Sequence, residues 1–163
     1  MHPNRKPNRL ADYDYSQPGA YFITVCTKDK KCLLSHVVGG DAHIAPCTVL
    51  TPVGRVVQKY LRSIPGIGEY VIMPNHVHMI LRISAASTLQ GPMWASAPTT
   101  ANIPSLVRSW KTLVTKELGY SIWQRSYFDH VIRNEKEYLD DWNYIEGNPG
   151  KWVEDALFVP GDR

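Results

Sequence analysis

The sequence predicts an α+β domain: a ferredoxin-like split β-α-β antiparallel sheet with helices on one face and an added C-terminal helix. Three observations predict it. Residues 20–27 are β-branched and aromatic, as a strand requires. An apolar run at 70–83 is interrupted by Pro74, so it folds as two short strands around a tight Pro74-Asn75 connection. Three stretches with helical apolar spacing separate and follow these strands, giving the order strand, helix, strand, strand, helix, strand, helix.

At 163 residues, 44% hydrophobic and 20% charged, the chain has the size and composition of one soluble domain, taken as 1–163. No apolar run approaches the roughly 18 residues that a membrane span needs. The basic start, with Arg5, Lys6 and Arg9, lacks the apolar centre of a secretory signal, so a cytoplasmic location is expected. Cys26, Cys32 and Cys47 are odd in number and lack C-x-x-C spacing, which points to reduced thiols. A net charge of +3 permits a nucleic-acid partner without requiring one.

Residues 1–19 read as a basic arm, which either tracks phosphates or is a plain flexible terminus. Strand 20–27 follows, then a loop over 39–47. Thr51 and Pro52 supply a cap and a first-turn proline for a helix to about residue 63. Its apolar positions Val53, Val56, Val57, Tyr60 and Leu61 face the sheet. In the strand starting at His76, alternation puts His76 and His78 on one face and Val77 and Met79 on the other. The two imidazoles then stand roughly 7 Å apart. That spacing suits a divalent cation, and equally suits two half-exposed histidines with no ligand.

Residues 84–102, rich in Ser, Ala, Thr, Pro and Gly, read as a flexible loop. A second helix runs from 103 to about 118 and ends at Gly119, burying Leu106, Trp110, Leu113 and Val114. The segment 121–132 is partly extended. Asn134 with Glu137 opens a third helix that stops before Pro149. At 100° per residue, Tyr138, Trp142 and Ile145, with Leu139 at the margin, form its apolar stripe. Tyr144 falls about 120° away, beside Glu137, Asp141 and Asn148. Asn148 lies one turn after Tyr144, so phenol and amide are neighbours: a nucleophile beside a metal ligand, or an exposed Tyr and a cap Asn.

Four blocks in one order carry a resemblance across nearly the whole chain. They are Pro74-Asn75-His76-Val77-His78, Trp123-Gln124-Arg125, Asp129-His130-Val131-Ile132-Arg133-Asn134 and Tyr144-Ile145-Glu146-Gly147-Asn148-Pro149. The chain resembles the REP-associated tyrosine transposases, relatives of the small insertion-sequence transposases of the HUH, single-tyrosine class. The resemblance implies a ferredoxin-like HUH transposase domain that cuts and rejoins single-stranded DNA at hairpin-associated (REP-like) sites. It implies that Tyr144 is the nucleophile, and that His76, His78 and Asn148 hold a divalent metal ion, Mg²⁺ or Mn²⁺. The related insertion-sequence enzymes have glutamine where Asn148 stands. Arg125, Arg133, Lys111, Arg5 and Lys6 are candidate DNA-phosphate contacts. Trp123, Tyr127 and Phe128 are candidates for base stacking, with core packing expected of at least two. Either a monomer or a homodimer is compatible with this reading.

Two alternatives remain: an enzyme of the same chemistry, a replication initiator or relaxase of the HUH superfamily, and a catalytically silent single-stranded DNA-binding module derived from such an enzyme. An unrelated His-x-His metal hydrolase would need a further ligand, for which the sequence offers His130.

Overall fold

A computed structural model describes residues 13–41, 43–84 and 102–160. Arg5, Lys6 and most of the 84–102 stretch lie outside the described residues. The elements are β1 (Gly19–Cys26), β2 (Ser35–Val38), β3 (Cys47–Leu50), α1 (Pro52–Leu61), β4 (Ile67–Ile72), β5 (His76–Ile83), α2 (Ile103–Leu118), β6 (Phe128–Ile132) and α3 (Glu135–Gly147). The main sheet has the order β4-β5-β1-β6, every neighbouring pair antiparallel. With the crossover helices α1 and α2, this is the split β-α-β arrangement expected.

Alternation along the strands sorts the side chains into two layers. Tyr21, Ile23 and Val25 of β1 and Val77, Met79 and Leu81 of β5 form one core with Val57 and Leu61 of α1 and Leu106, Trp110 and Val114 of α2. The opposite face carries Ile80 and Ile132, packed with Ile145 of α3 and Trp152 beyond it. The added helix therefore covers the face on which His76 and His78 stand, across the sheet from α1 and α2.

Residues 13–19 are not a free arm. Tyr15 is buried in the first core, and the Tyr21 hydroxyl donates to the Gln17 carbonyl at 2.8 Å. A two-stranded hairpin of β2 and β3 stands outside the main sheet, where the sequence pattern predicts only the loop between them. Each strand is four residues long, too short to display an alternating pattern.

The start of α1 shows why one glycine is needed. Thr51 Oγ1 accepts from the Gly54 N–H at 3.0 Å and donates to the Leu33 carbonyl at 2.6 Å, while the Thr51 N–H donates to Leu34 O at 3.0 Å. This clamp brings the helix so close to the Leu34 backbone that a Cβ on Gly54 would sit 1.9 Å from the Leu34 oxygen. Backbone cannot yield as a side-chain tip does. Gly54→Ala is therefore expected to cost about 3 kcal/mol, the upper range for overpacking. In urea unfolding the midpoint falls and the slope stays unchanged.

Candidate active site

The hairpin between β4 and β5 is tied down from several sides. Met73 N–H donates to His76 O at 2.9 Å, Leu34 N–H to Pro74 O at 3.0 Å and Thr27 N–H to Asn75 O at 2.9 Å. The Asn75 side-chain amide donates to the carbonyls of Leu157 at 2.8 Å and Lys30 at 3.3 Å. Its nitrogen is thereby committed, so its oxygen is the atom facing His76 Nδ1 at 2.8 Å. An oxygen acceptor there places the imidazole proton on Nδ1 and leaves the lone pair on Nε2. His78 Nδ1 shares a 2.7 Å hydrogen bond with Thr24 Oγ1, its cross-strand neighbour on β1.

Both imidazoles are buried, and their ring centroids are 4.5 Å apart. That is closer than a flat strand would put them, because the rings lean toward each other. Burial pushes both down to about 3, with the mutual proximity of the rings adding to the effect at His78. Each is therefore a neutral donor. Their Nε2 atoms are buried and make no hydrogen bond among the described residues, as does Asn148 Oδ1. Buried polar atoms are seldom left unmatched.

Asp155 joins the cluster, and no sequence motif marks it. Past α3 a 3-10 turn, Pro149–Glu154, brings the chain back under the hairpin. Leu157 is held by Asn75, Leu157 N–H donates to Asp155 Oδ1 at 2.6 Å, and the Trp152 ring lies 5.9 Å from that of His76. Asp155 Oδ2 sits 3.9 Å from His76 Nε2. With the imidazole neutral, that gap is not an ion pair. One donor atom each from His76, His78 and Asp155 lies within 4.8 Å of the others. Two imidazole nitrogens and a carboxylate gathered this closely fit a divalent cation, and the Asn148 side-chain amide reaches the same carboxylate, its nitrogen donating to Asp155 Oδ2 at 3.4 Å.

Tyr144 meets this cluster from α3. Asn134 caps that helix, its Oδ1 accepting from Glu137 N–H at 2.9 Å, and the Glu137 carboxylate accepts from Arg133 N–H at 2.8 Å, forming the expected box. Ile145 is buried while Tyr144 stays 45% exposed, so the phenol lies off the apolar stripe. Its ring is 5.2 Å from that of His78 and 6.0 Å from that of Phe22. Burial, then the charge of Asp155, raises its pKa, while the Asn148 amide favours the phenolate. His130 stands apart from this cluster. Its Nε2 lies 3.0 Å from Asp141 Oδ2 of α3, and its ring stacks on Phe22.

Among the candidate phosphate contacts, Arg125 and Arg133 are exposed. Lys111 is half-buried, and its ammonium donates to the carbonyls of Gln124 at 2.6 Å and Arg125 at 3.4 Å. It braces the 121–127 segment from α2. Trp123 and Tyr127 are buried, whereas Phe128 is exposed.

Neutral histidines make acid stability a measurable property of the chelator-stripped protein. Their folded values lie below the ordinary one near 6.5, so the unfolded chain binds more protons as pH falls. The contribution is complete above pH 6.5, is lost progressively down to about 3 and is constant below. Each histidine adds at most about 1.4 kcal/mol per pH unit to the slope. His76→Gln is expected to flatten the slope of unfolding free energy against pH by about one proton's worth, read from urea titrations at successive pH values.

Comparisons with known proteins bear on the family and the fold. No family model matches the chain. It is 35% identical to an uncharacterized protein of Haemophilus influenzae, over 96% of this chain and 94% of that one. It is 26% identical to the REP-associated tyrosine transposase of Escherichia coli, over 90% of this chain and 76% of that one. A putative REP-associated tyrosine transposase of Haemophilus influenzae is 24% identical, over 85% of this chain and 74% of the relative. Among solved structures, a REP-associated tyrosine transposase bound to a REP hairpin shares the fold, with TM-score 0.53 and 24% identity over 87% of this chain and 74% of the other. The four sequence blocks, the sheet order and these relatives agree: the chain is related in sequence and in fold to the REP-associated tyrosine transposases.

Proposed function

We propose that this protein cuts and rejoins single-stranded DNA beside a hairpin through a covalent 5′-phosphotyrosine on Tyr144. The observation that carries the reading is the meeting of Tyr144 with the histidine pair, its ring 5.2 Å from that of His78 within one chain. A helix residue lying off the apolar stripe has no packing reason to point there. On this reading one chain supplies both the phenol and the histidine pair.

His76, His78 and Asp155 would hold the cation, with Asn148 as a neutral fourth donor. When bound, a Mg²⁺ or Mn²⁺ ion supplies Lewis acidity at a phosphoryl oxygen, and two imidazoles favour Mn²⁺. The remaining work belongs to the chain. Tyr144 Oη attacks phosphorus in line, forming the Tyr–O–P bond as the P–O3′ bond breaks. The phenol proton passes to solvent, and the departing 3′-oxygen takes one up. Asn148 lends its amide to the phenolate, which matters because burial and Asp155 hold the phenol protonated. The phosphotyrosine conserves the bond, so a 3′-hydroxyl reverses the step and joins strands without ATP. Thr24 and Asn75 fix the imidazoles in the orientation that turns both Nε2 atoms inward.

The test is a hairpin oligonucleotide with a single-stranded flank, incubated with the protein and Mn²⁺ and run on a denaturing gel. A protein–DNA adduct that EDTA suppresses is expected. A native-gel shift without any adduct would leave only a binding module.

A further inference from the structure

We propose that Phe128 is a stacking subsite for an unpaired nucleobase of the single strand held at Tyr144; this rests on the function proposed above. β6 is one of the two edge strands of the main sheet. Cross-strand pairing puts Phe128 opposite Thr24 and His130 opposite Phe22, so both point to the face that carries the histidine pair. Thr24 is the residue whose hydroxyl meets His78 Nδ1, and Phe22 is the ring that Tyr144 edges. Phe128, His130 and Tyr144 therefore line one open margin of the site, with Phe128 49% exposed and Tyr144 45% exposed.

The neighbouring aromatics of this stretch have a different fate. Trp123 and Tyr127 are each 6% exposed and belong to the core around α2. Phe128 could have joined Val131 on the inner face by a one-residue shift of register; it stands outside instead. An exposed phenylalanine on a sheet edge invites non-specific pairing, which is why edges ordinarily carry charge. Here charge flanks it on both sides, as exposed Arg125 precedes the strand and exposed Arg133 follows it. An exposed aromatic on a strand with a cation before and after it complements a single nucleic-acid strand, whose bases are flat and whose phosphates are anionic. A protein partner would gain nothing from that charge pattern unless it were acidic.

The experiment uses the full chain carrying Tyr144→Phe, so that bound DNA stays uncut. The probe is the hairpin with 2-aminopurine placed in turn at each flank position. Stacking on Phe128 is expected to quench the fluorophore at one or two positions. Phe128→Trp should keep the quench. Phe128→Ala should lose it together with about tenfold in affinity, within the range of aromatic–base stacking. The slope of log affinity against log salt should not change, because no phosphate contact is removed, whereas Arg133→Ala should lower it by about 0.7. Unaltered affinity and quench in Phe128→Ala overturn the subsite. So does a shift from dimer to monomer in DNA-free sedimentation of that variant, which would assign the edge to a second copy of the chain. Adduct formation by the Tyr144-containing protein is scored separately: quenching without an adduct keeps the subsite and removes the strand-cutting reading.

Discussion

Tyr144→Phe is expected to leave hairpin binding intact and to abolish the covalent adduct. The substitution removes one oxygen and keeps the ring that packs at the edges of His78 and Phe22. Nothing in the core depends on that oxygen, because the residue is 45% exposed and its polar neighbour is Asn148. Stability is therefore expected to change by less than about 0.5 kcal/mol, the ordinary range for substitutions outside the core. Chemistry responds on another scale. Removing the nucleophile of a covalent enzyme costs on the order of 10⁶ in rate, far below what a denaturing gel detects. The two readouts must separate, with native-gel affinity equal to the parent and adduct absent. An adduct that persists in this variant places the nucleophile elsewhere and removes Tyr144 from the mechanism.

Much of this site is legible in local pattern, and the reasons are geometric. Alternation along β5 puts His76 and His78 on one face wherever the strand lies, and the 3.6-residue turn puts Tyr144 off the stripe that buries Ile145. Those two periodicities do not say that the faces meet. Here they meet because β1 lies between β5 and β6, so that α3, which follows β6, covers the histidine face. Asp155 was out of reach for a different reason. Its place depends on a 3-10 turn and on Asn75 capturing the Leu157 carbonyl, contacts made across 82 residues of sequence. The stretch 121–128 shows the same limit from the other side. Trp123, Tyr127 and Phe128 are alike in composition, and only the pairing of Phe128 with Thr24 separates the exposed ring from the buried ones. The β2–β3 hairpin escaped because four-residue strands carry too little periodicity to stand out from a loop.

Asp155→Asn is expected to lower Mn²⁺ affinity by at least about 100-fold, measured by titration calorimetry on the DNA-free protein. Outer-shell partners alone are worth 10–100-fold in metal affinity, and a charged direct ligand contributes more. Asparagine keeps the size and the acceptor oxygen that Leu157 N–H uses, so the local turn survives and the charge alone is removed. Asn148→Ala should cost less, about 10-fold, since a neutral amide dipole attracts a cation more weakly than a carboxylate. It also leaves a small cavity, because Asn148 is buried. The order of the two effects decides which residue is the third ligand. If Asn148→Ala is the more damaging, the amide binds the ion and Asp155 acts from outside by charge. If neither changes affinity while His78→Ala abolishes it, the ion rests on the imidazoles and water, and the gap of 3.9 Å between His76 Nε2 and Asp155 Oδ2 has another purpose. Binding is read here without DNA or turnover, so the result stands whatever the adduct assay returns.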